Sequence, residues 1–433
     1  MAQGYRVKTV KFQNGERFAF LIDSRVGAPM FEPTLFASKV LRAKARATNT
    51  IDQAMRSLLF FYQALDLLDV NLEERFNEMH FLEMSEMEEI VRLSHLSMKG
   101  LDEMVRICSA PVKTRAKVVN LESVRRTRAN ISHPRVESKT SAIRLGYIGQ
   151  YLKWLSARRL MQFRHDREKT RELLVQVRLV LESLAAQMPS DSRERNTVGQ
   201  REGLSPEMQD RLLDVIRPDS PENPWLGEHV RYRNQLLIHW LVAMALRKGE
   251  VLGVTTDDID FRTDEVLVAR RADNPEDPRT PQPLTKTLDR RLVMERPLAL
   301  LTLQYINKYR RKLPGAKIHH ILFLANGTGE PLSLSAVQKV FEKLRQKVPD
   351  LPEDLSAHVL RHTWNERFSE QMDEKGVSEA DEKKWRNYIN GWSDSGTTAG
   401  TYTRRHVRNA ANKVLMAGQE AFLSKSKIKK EAP

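Results

Sequence analysis

The stretch His358-Val359-Leu360-Arg361-His362-Thr363, entered through Asp354-Leu355-Ser356, decides how this chain is read. Asp354-Leu355-Ser356 has the composition of a helix start, since short polar side chains satisfy N–H groups that the first turn leaves bare. On the helix that follows, His358 and Arg361 stand three residues apart and project to one side, so both can reach a single phosphate. An arginine fork binds two phosphate oxygens at once, and a histidine titrates near working pH, so it can accept a proton or donate a hydrogen bond. His358 and His362 also have the four-residue spacing of a metal-binding pair. No third ligand in a recognisable setting accompanies them, and neighbouring arginines repel a cation, so no metal site is expected.

Working outward, the C-terminal half presents Arg247, Lys286, His358, Arg361, Trp392 and Tyr402 in that order. These are the side chains needed to cut a DNA phosphodiester without a metal. A phosphate under attack spreads negative charge over its equatorial oxygens, which two guanidinium groups can clamp, while a tyrosine supplies a nucleophile that holds the cut end covalently. Tyr388 is the only other tyrosine between the His358 segment and Tyr402, and it precedes Gly391-Trp392.

The segments themselves resemble the signature boxes of the tyrosine recombinase (phage integrase) family. Ala245-Leu246-Arg247-Lys248-Gly249-Glu250-Val251-Leu252 is similar to the first box, His358 to Thr363 to the second, and Asn390-Gly391-Trp392 with Thr397-Thr398-Ala399-Gly400-Thr401-Tyr402-Thr403 to the third. Thr285-Lys286-Thr287, followed by Arg290-Arg291-Leu292-Val293, resembles the hairpin that carries the family's lysine. The resemblance implies that Arg247 and Arg361 clamp the phosphate and that Glu250 fixes the Arg247 guanidinium or the geometry around it. It further implies that His358 handles a proton or a phosphate oxygen with His362 beside it, that Trp392 brings a hydrogen-bonding ring, that Lys286 protonates the departing 5′ oxygen, and that Tyr402 attacks. The chemistry is then a two-step transesterification that preserves bond energy and needs no cofactor. Two departures stand out: the Arg361 to Trp392 interval is longer than typical, with a polar insert over residues 373–384, and the Thr-Thr to Tyr segment is one residue longer.

With 433 residues, more than one domain is expected, and a formal net charge of +15 points to a polyanionic partner. The longest apolar run, residues 234–246, is interrupted by Gln235 and His239 and is too short to cross a bilayer, so it reads as a buried helix. The single cysteine, Cys108, excludes an intrachain disulfide and fits a reducing bacterial cytoplasm. Residues 5–12 and 16–22 read as strands around Gln13-Asn14-Gly15, the pair Asn-Gly favouring a hairpin turn. Thr50 reads as the N-cap of an amphipathic helix carrying Met55, Leu58, Leu59, Tyr62, Leu65 and Leu68, and residues 140–159 read as a second. Residues 72–106 hold nine acids and four bases, whereas 111–160 hold twelve bases and two acids. The second stretch mixes those cations with Tyr147, Tyr151 and Trp154, so Lys139, Arg144, Lys153, Arg158 and Arg159 are expected to meet DNA phosphates.

The expected architecture is mainly α (α+β). It comprises an N-terminal β-hairpin extension over 1–33, a helical core-binding domain over 34–188, a linker over 189–203, a mostly helical catalytic domain with a small β-sheet over 204–424, and a basic tail over 425–433. Duplex DNA is the expected partner. The resemblance implies a tetramer on two synapsed sites, accessory proteins that set direction, no membrane, nucleoid association, and integration or excision of a mobile element. A type IB topoisomerase shares the chemistry, and a DNA-binding protein without cleavage shares the fold. Strand exchange separates the first alternative, and the full Arg, His, Arg, Tyr set argues against the second.

Overall fold

The computed structural model describes residues 4–108, 134–162, 167–189, 202–284, 287–393 and 411–420. Lys286, Tyr402, and residues 111–133, 190–201 and 425–433 lie outside them. The chain is mainly helical with two small antiparallel sheets, and it divides into two compact units, one of residues 1–12 and 16–197, the other of 13–15 and 198–433. Among the described residues, no helix is long and apolar enough to cross a membrane.

The first unit opens with β1 (Tyr5–Lys11) and β2 (Arg17–Asp23), paired Tyr5 to Asp23 through Lys11 to Arg17, with β3 (Ala28–Pro29) on the far edge of β2. The turn expected at Asn14-Gly15 forms there, with Gly15 at φ 88°. Tyr5, Phe18 and Leu21 face inward and share one apolar core with Phe36, Leu58, Phe61 and Tyr151. The hairpin, expected as an extension apart from the helices, is therefore one wall of their core. Helix α1 (Phe31–Phe36) leads to α2 (Thr48–Leu67), then α3 (Leu72–Asn77), α4 (Met84–Leu93), α5 (Met98–Cys108), α6 (Ser138–Gln162) and α7 (Arg167–Ala186). Helix α2 starts two residues before Thr50, because Thr48 turns its hydroxyl to the Arg17 carbonyl at 2.9 Å and so joins the helix to β2.

Helix α6 corrects the expected DNA-facing set at one position. Its buried side runs Ser141, Arg144, Leu145, Ile148, Tyr151, Leu152 and Leu155, so Arg144 belongs to the inner face. The Arg144 guanidinium donates to the carbonyls of Ser94, at 2.9 Å, and Leu96, at 2.5 Å, and stacks 4.8 Å above the Phe60 ring. A cation so held closes α6 onto the end of α4 and is unavailable to a phosphate. Lys139 and Lys153 are exposed, while Arg158 and Arg159 both pair with Glu32, Arg159 at 3.1 Å.

The second unit begins with α8 (Pro206–Val215), capped by Ser205, whose hydroxyl accepts the Met208 N–H at 3.3 Å. Helix α9 (Glu228–Ala243) buries Leu236, Leu237, Ile238, Trp240 and Leu241, which accounts for the apolar run, but it stops at Ala243 rather than continuing to residue 246. A short helix α10 (Lys248–Val251) follows, then a sheet of β4 (Ile259–Asp260), β5 (Glu265–Val268) and β6 (Arg290–Val293) in that order. Helices α11 (Arg296–Gln304), α12 (Leu334–Lys347), α13 (Ala357–Glu374) and α14 (Glu379–Asn390) complete the described part of this core. The polar insert is the end of α13 and the start of α14, joined through Gly376 at φ 62° and restarted by Ser378, whose hydroxyl accepts the Asp381 N–H.

Candidate active site

The first two boxes and the described part of the third, Asn390-Gly391-Trp392, meet around one buried carboxylate. After α9, Ala245 lies in the left-handed region at φ 53°, which an alanine adopts only at a cost of about 1–2 kcal/mol. That reversal lets the chain turn into α10 with Arg247 at the N-cap, the residue just before the helix. Glu250 reaches back to accept the Arg247 backbone N–H at 2.7 Å, while the Arg247 guanidinium stands 3.9 Å from the same carboxylate. Glu250 thus fixes Arg247 chiefly through the main chain, as the third residue of a capped turn does.

Glu250 is 1% exposed, and three arginines surround it. Arg290 forks onto both carboxylate oxygens at 3.2 and 3.3 Å, Arg361 lies at 3.7 Å, and the Thr287 hydroxyl donates a further short hydrogen bond. Burial pushes the carboxyl toward the neutral form, but Arg290 and Arg361 outweigh it and hold its pKa below the usual range. One negative charge faces three positive ones, so the site carries a surplus of positive charge that an anion can neutralise.

Arg361 is 1% exposed and ties the boxes together. It donates to the Ala245 carbonyl in the first box and to the Asn390 carbonyl, at 3.2 Å, in the third. Its guanidinium carbon lies 5.3 Å from the centre of the Trp392 ring, a cation–π contact. The Trp392 ring is buried against this arginine. Asn365, one turn beyond Arg361, bonds the Asn390 side chain, and Arg386 donates to Asn365, so a polar network sets the spacing of α13 and α14. His358 is exposed in the first turn of α13, and its Nε2 lies 3.3 Å from Nε2 of buried His362 with the rings at 87°. A hydrogen bond between two imidazole nitrogens requires one ring to offer a lone pair, so the two cannot both be cationic there.

Gly391 closes the third box. It sits at φ 66°, and a Cβ there would come within 2.6 Å of Arg290 Nη1 and 2.8 Å of Thr287 Cβ. Gly391→Ala therefore strains the backbone and pushes on the partners of Glu250. A loss of at least about 2 kcal/mol in urea unfolding is expected, and wild-type stability would remove this reason for the glycine.

A cavity of about 490 Å³ opens over this cluster, lined by Arg247, Lys248, Arg345, Ser356, His358 and Arg361 among others. Arg247 Nη1 and Ser356 Oγ are both buried with no hydrogen-bond partner among the described residues. A buried donor left this way costs about 1–3 kcal/mol, a cost that a bound acceptor removes. The structure thus brings Arg247, Glu250, His358, Arg361, His362 and Trp392 together, and Lys286 and Tyr402 lie outside the described residues.

Residues 209–408 match the phage integrase family model. This region is a phage integrase family domain. The family is that of tyrosine-type site-specific recombinases, and the match runs from α8 across all three boxes. No curated protein matches the chain. Among solved structures, the chain is similar to the Tn1549 transposon integrase in complex with circular intermediate DNA, at 16% identity over 74% of this chain and 95% of that one, with a TM-score of 0.39. It is also similar to the XerH site-specific recombinase bound to difH substrate, at 14% identity over 88% and 93% with a TM-score of 0.38. A lambda integrase tetramer bound to a Holliday junction is similar at 12% identity over 91% and 95%, with a TM-score of 0.30. Within the integrase domain, Arg290 and Thr287 are the residues that the boxes alone do not name. Arg290 has a signal in the sequence, because on a strand it shares a face with Leu292, and an arginine paired with a core leucine needs a buried acid.

Proposed function

We propose that this chain cleaves and rejoins DNA at specific sites through a 3′-phosphotyrosyl intermediate, in the integration or excision of a mobile element. The observation that carries the reading is the convergence of Arg247, His358 and Arg361 on one cavity, with the buried Glu250 carboxylate behind it outnumbered by Arg247, Arg290 and Arg361. A pentavalent phosphate needs that surplus of positive charge more than a ground-state phosphate does, which is the condition for catalysis rather than mere binding.

In the proposed step, the Tyr402 oxygen attacks the scissile phosphorus and its proton passes to a base, the role proposed for His358. The phosphorus–5′ oxygen bond breaks, and Lys286 protonates the leaving oxygen. A 5′-hydroxyl of the partner strand then attacks the phosphotyrosine, and Tyr402 recovers its proton, so bond energy is conserved. Glu250, His362 and Trp392 hold the clamp and the histidine in place. Exposed Lys139 and Lys153 are proposed to meet duplex phosphates, whereas Arg158 and Arg159 reach them only in competition with Glu32. Four copies acting on two synapsed sites complete the exchange, with accessory proteins setting direction.

The test begins with sequencing the DNA junctions formed in cells that express the protein beside its native gene neighbourhood. A nicked duplex carrying that junction, from which the 5′ fragment diffuses away, then traps the intermediate. Peptide mapping is expected to find the DNA on Tyr402. An adduct on Tyr388, whose hydroxyl donates to the Arg291 carbonyl at 3.1 Å, would reassign the nucleophile, and no adduct at all would end the reading.

A further inference from the structure

We propose that the Ser356 hydroxyl is a phosphate ligand of this site, donating a hydrogen bond to a non-bridging oxygen of the scissile phosphate. The proposal rests on the cleavage reading above and adds a residue to it. Four helices of the second unit start at a serine, and three of those serines behave alike. Ser205, Ser333 and Ser378 turn their hydroxyls to accept the N–H groups of Met208, Ala336 and Asp381 at 3.3, 3.1 and 3.2 Å, which is what a serine at this position is selected to do. Ser356 starts the longest of the four, the 18-residue α13, in the same extended backbone region, and its hydroxyl makes no capping bond.

Ser356 Oγ is instead shut off from solvent with no partner among the described residues. Ser356 lines the same cavity as Arg247, and Arg247 Nη1, whose nearest anion is Glu250 at 3.9 Å, is a second buried donor without a hydrogen-bond partner among the described residues. Two unmet donors in one cavity, flanked by His358 and Arg361, ask for one acceptor with several oxygens. A serine side chain changes rotamer in picoseconds to nanoseconds, so Oγ can turn toward an arriving phosphate without moving the helix. The exposed carboxylates of Glu353 and Asp354 border the same cavity and repel an anion, so an oxygen seated there gains more from each additional donor. Helix stability does not use this hydroxyl, and the position is therefore free to serve the reaction.

The test measures single-turnover adduct formation on the nicked junction duplex at saturating protein. Ser356→Ala is expected to melt like wild type, bind the duplex equally, and form adduct on the order of 100-fold more slowly, while Ser356→Thr retains most of the rate. The deciding readout replaces one non-bridging oxygen of the scissile phosphate by sulfur, a poorer acceptor. Wild type slows on the diastereomer that lacks the oxygen served by Ser356, and Ser356→Ala shows no such slowing. Equal rates for wild type and Ser356→Ala overturn the proposal, as does a rate loss that comes with lost thermal stability or leaves both sulfur effects unchanged. An absence of adduct with wild-type protein overturns the cleavage reading itself, and this proposal with it.

Discussion

Arg361→Ala is expected to lose both the reaction and much of the fold, whereas Arg247→Ala loses the reaction alone. Removing one preorganised donor to a developing oxyanion costs on the order of 100- to 1000-fold in rate, and both arginines line the cavity in which the proposed function places that oxyanion. Their structural duties differ. Arg361 is 1% exposed and holds the carbonyls of Ala245 and Asn390, so alanine there leaves two buried acceptors bare and opens a hole beneath Trp392. Breaking a buried charged network of this kind costs about 3–5 kcal/mol. Arg247 keeps a side chain 31% exposed, and its guanidinium meets Glu250 only at 3.9 Å, so its removal costs no more than about 1 kcal/mol. Urea unfolding and single-turnover cleavage, measured on both variants, separate these effects. An Arg361→Ala protein that unfolds like wild type would remove the structural half of the argument. Wild-type cleavage by Arg247→Ala would show that the phosphate sits elsewhere.

That division of labour explains what the amino-acid sequence could and could not convey. His358 and Arg361 were legible because a three-residue spacing on a helix has one meaning for geometry, whatever surrounds it. The Asn-Gly turn was legible for the same reason, since it reports a local backbone need. The hairpin's place in the core was not, because Tyr5, Phe18 and Leu21 look the same whether they cover their own helices or another surface. Nor was the start of α2, where a tertiary hydrogen bond from Thr48 to the Arg17 carbonyl overrides the cap expected at Thr50.

Arginine is where reading by composition fails most. Counting every cation on α6 toward DNA assumes that charge faces solvent, but Arg144 has inward carbonyls and the Phe60 ring to satisfy it. The same residue type fills the interior of the integrase domain, where Arg279, Arg290, Arg310 and Arg386 are all buried on protein partners. A net charge of +15 therefore overstates what the surface offers a polyanion. The turn at Ala245 left no trace in the sequence, because an alanine gives no sign of a positive φ that the Arg361 bond and the capped Arg247 turn impose from outside.

Glu250→Gln tests whether that imposed geometry depends on charge. At neutral pH the substitution keeps the shape but leaves Arg290, 4% exposed, and Arg361 without their shared anion, and one amide oxygen cannot receive the donors that two carboxylate oxygens now hold. A destabilisation of about 3–5 kcal/mol is expected. Its pH dependence has a fixed sign. The folded state holds the Glu250 carboxyl below its ordinary value of 4.5, so the unfolded chain takes up the proton first as pH falls. The stabilisation is fully present above that ordinary value and fades as pH drops toward the folded one. Wild type should thus approach Glu250→Gln in stability as the solution is acidified, while the two stay far apart and parallel from pH 6 to 8. A gap that persists undiminished in acid would mean that Glu250 acts through shape and hydrogen-bond count. The arginines would then be held apart by the backbone carbonyls of Ala245, Ile389 and Asn390 rather than by the carboxylate between them.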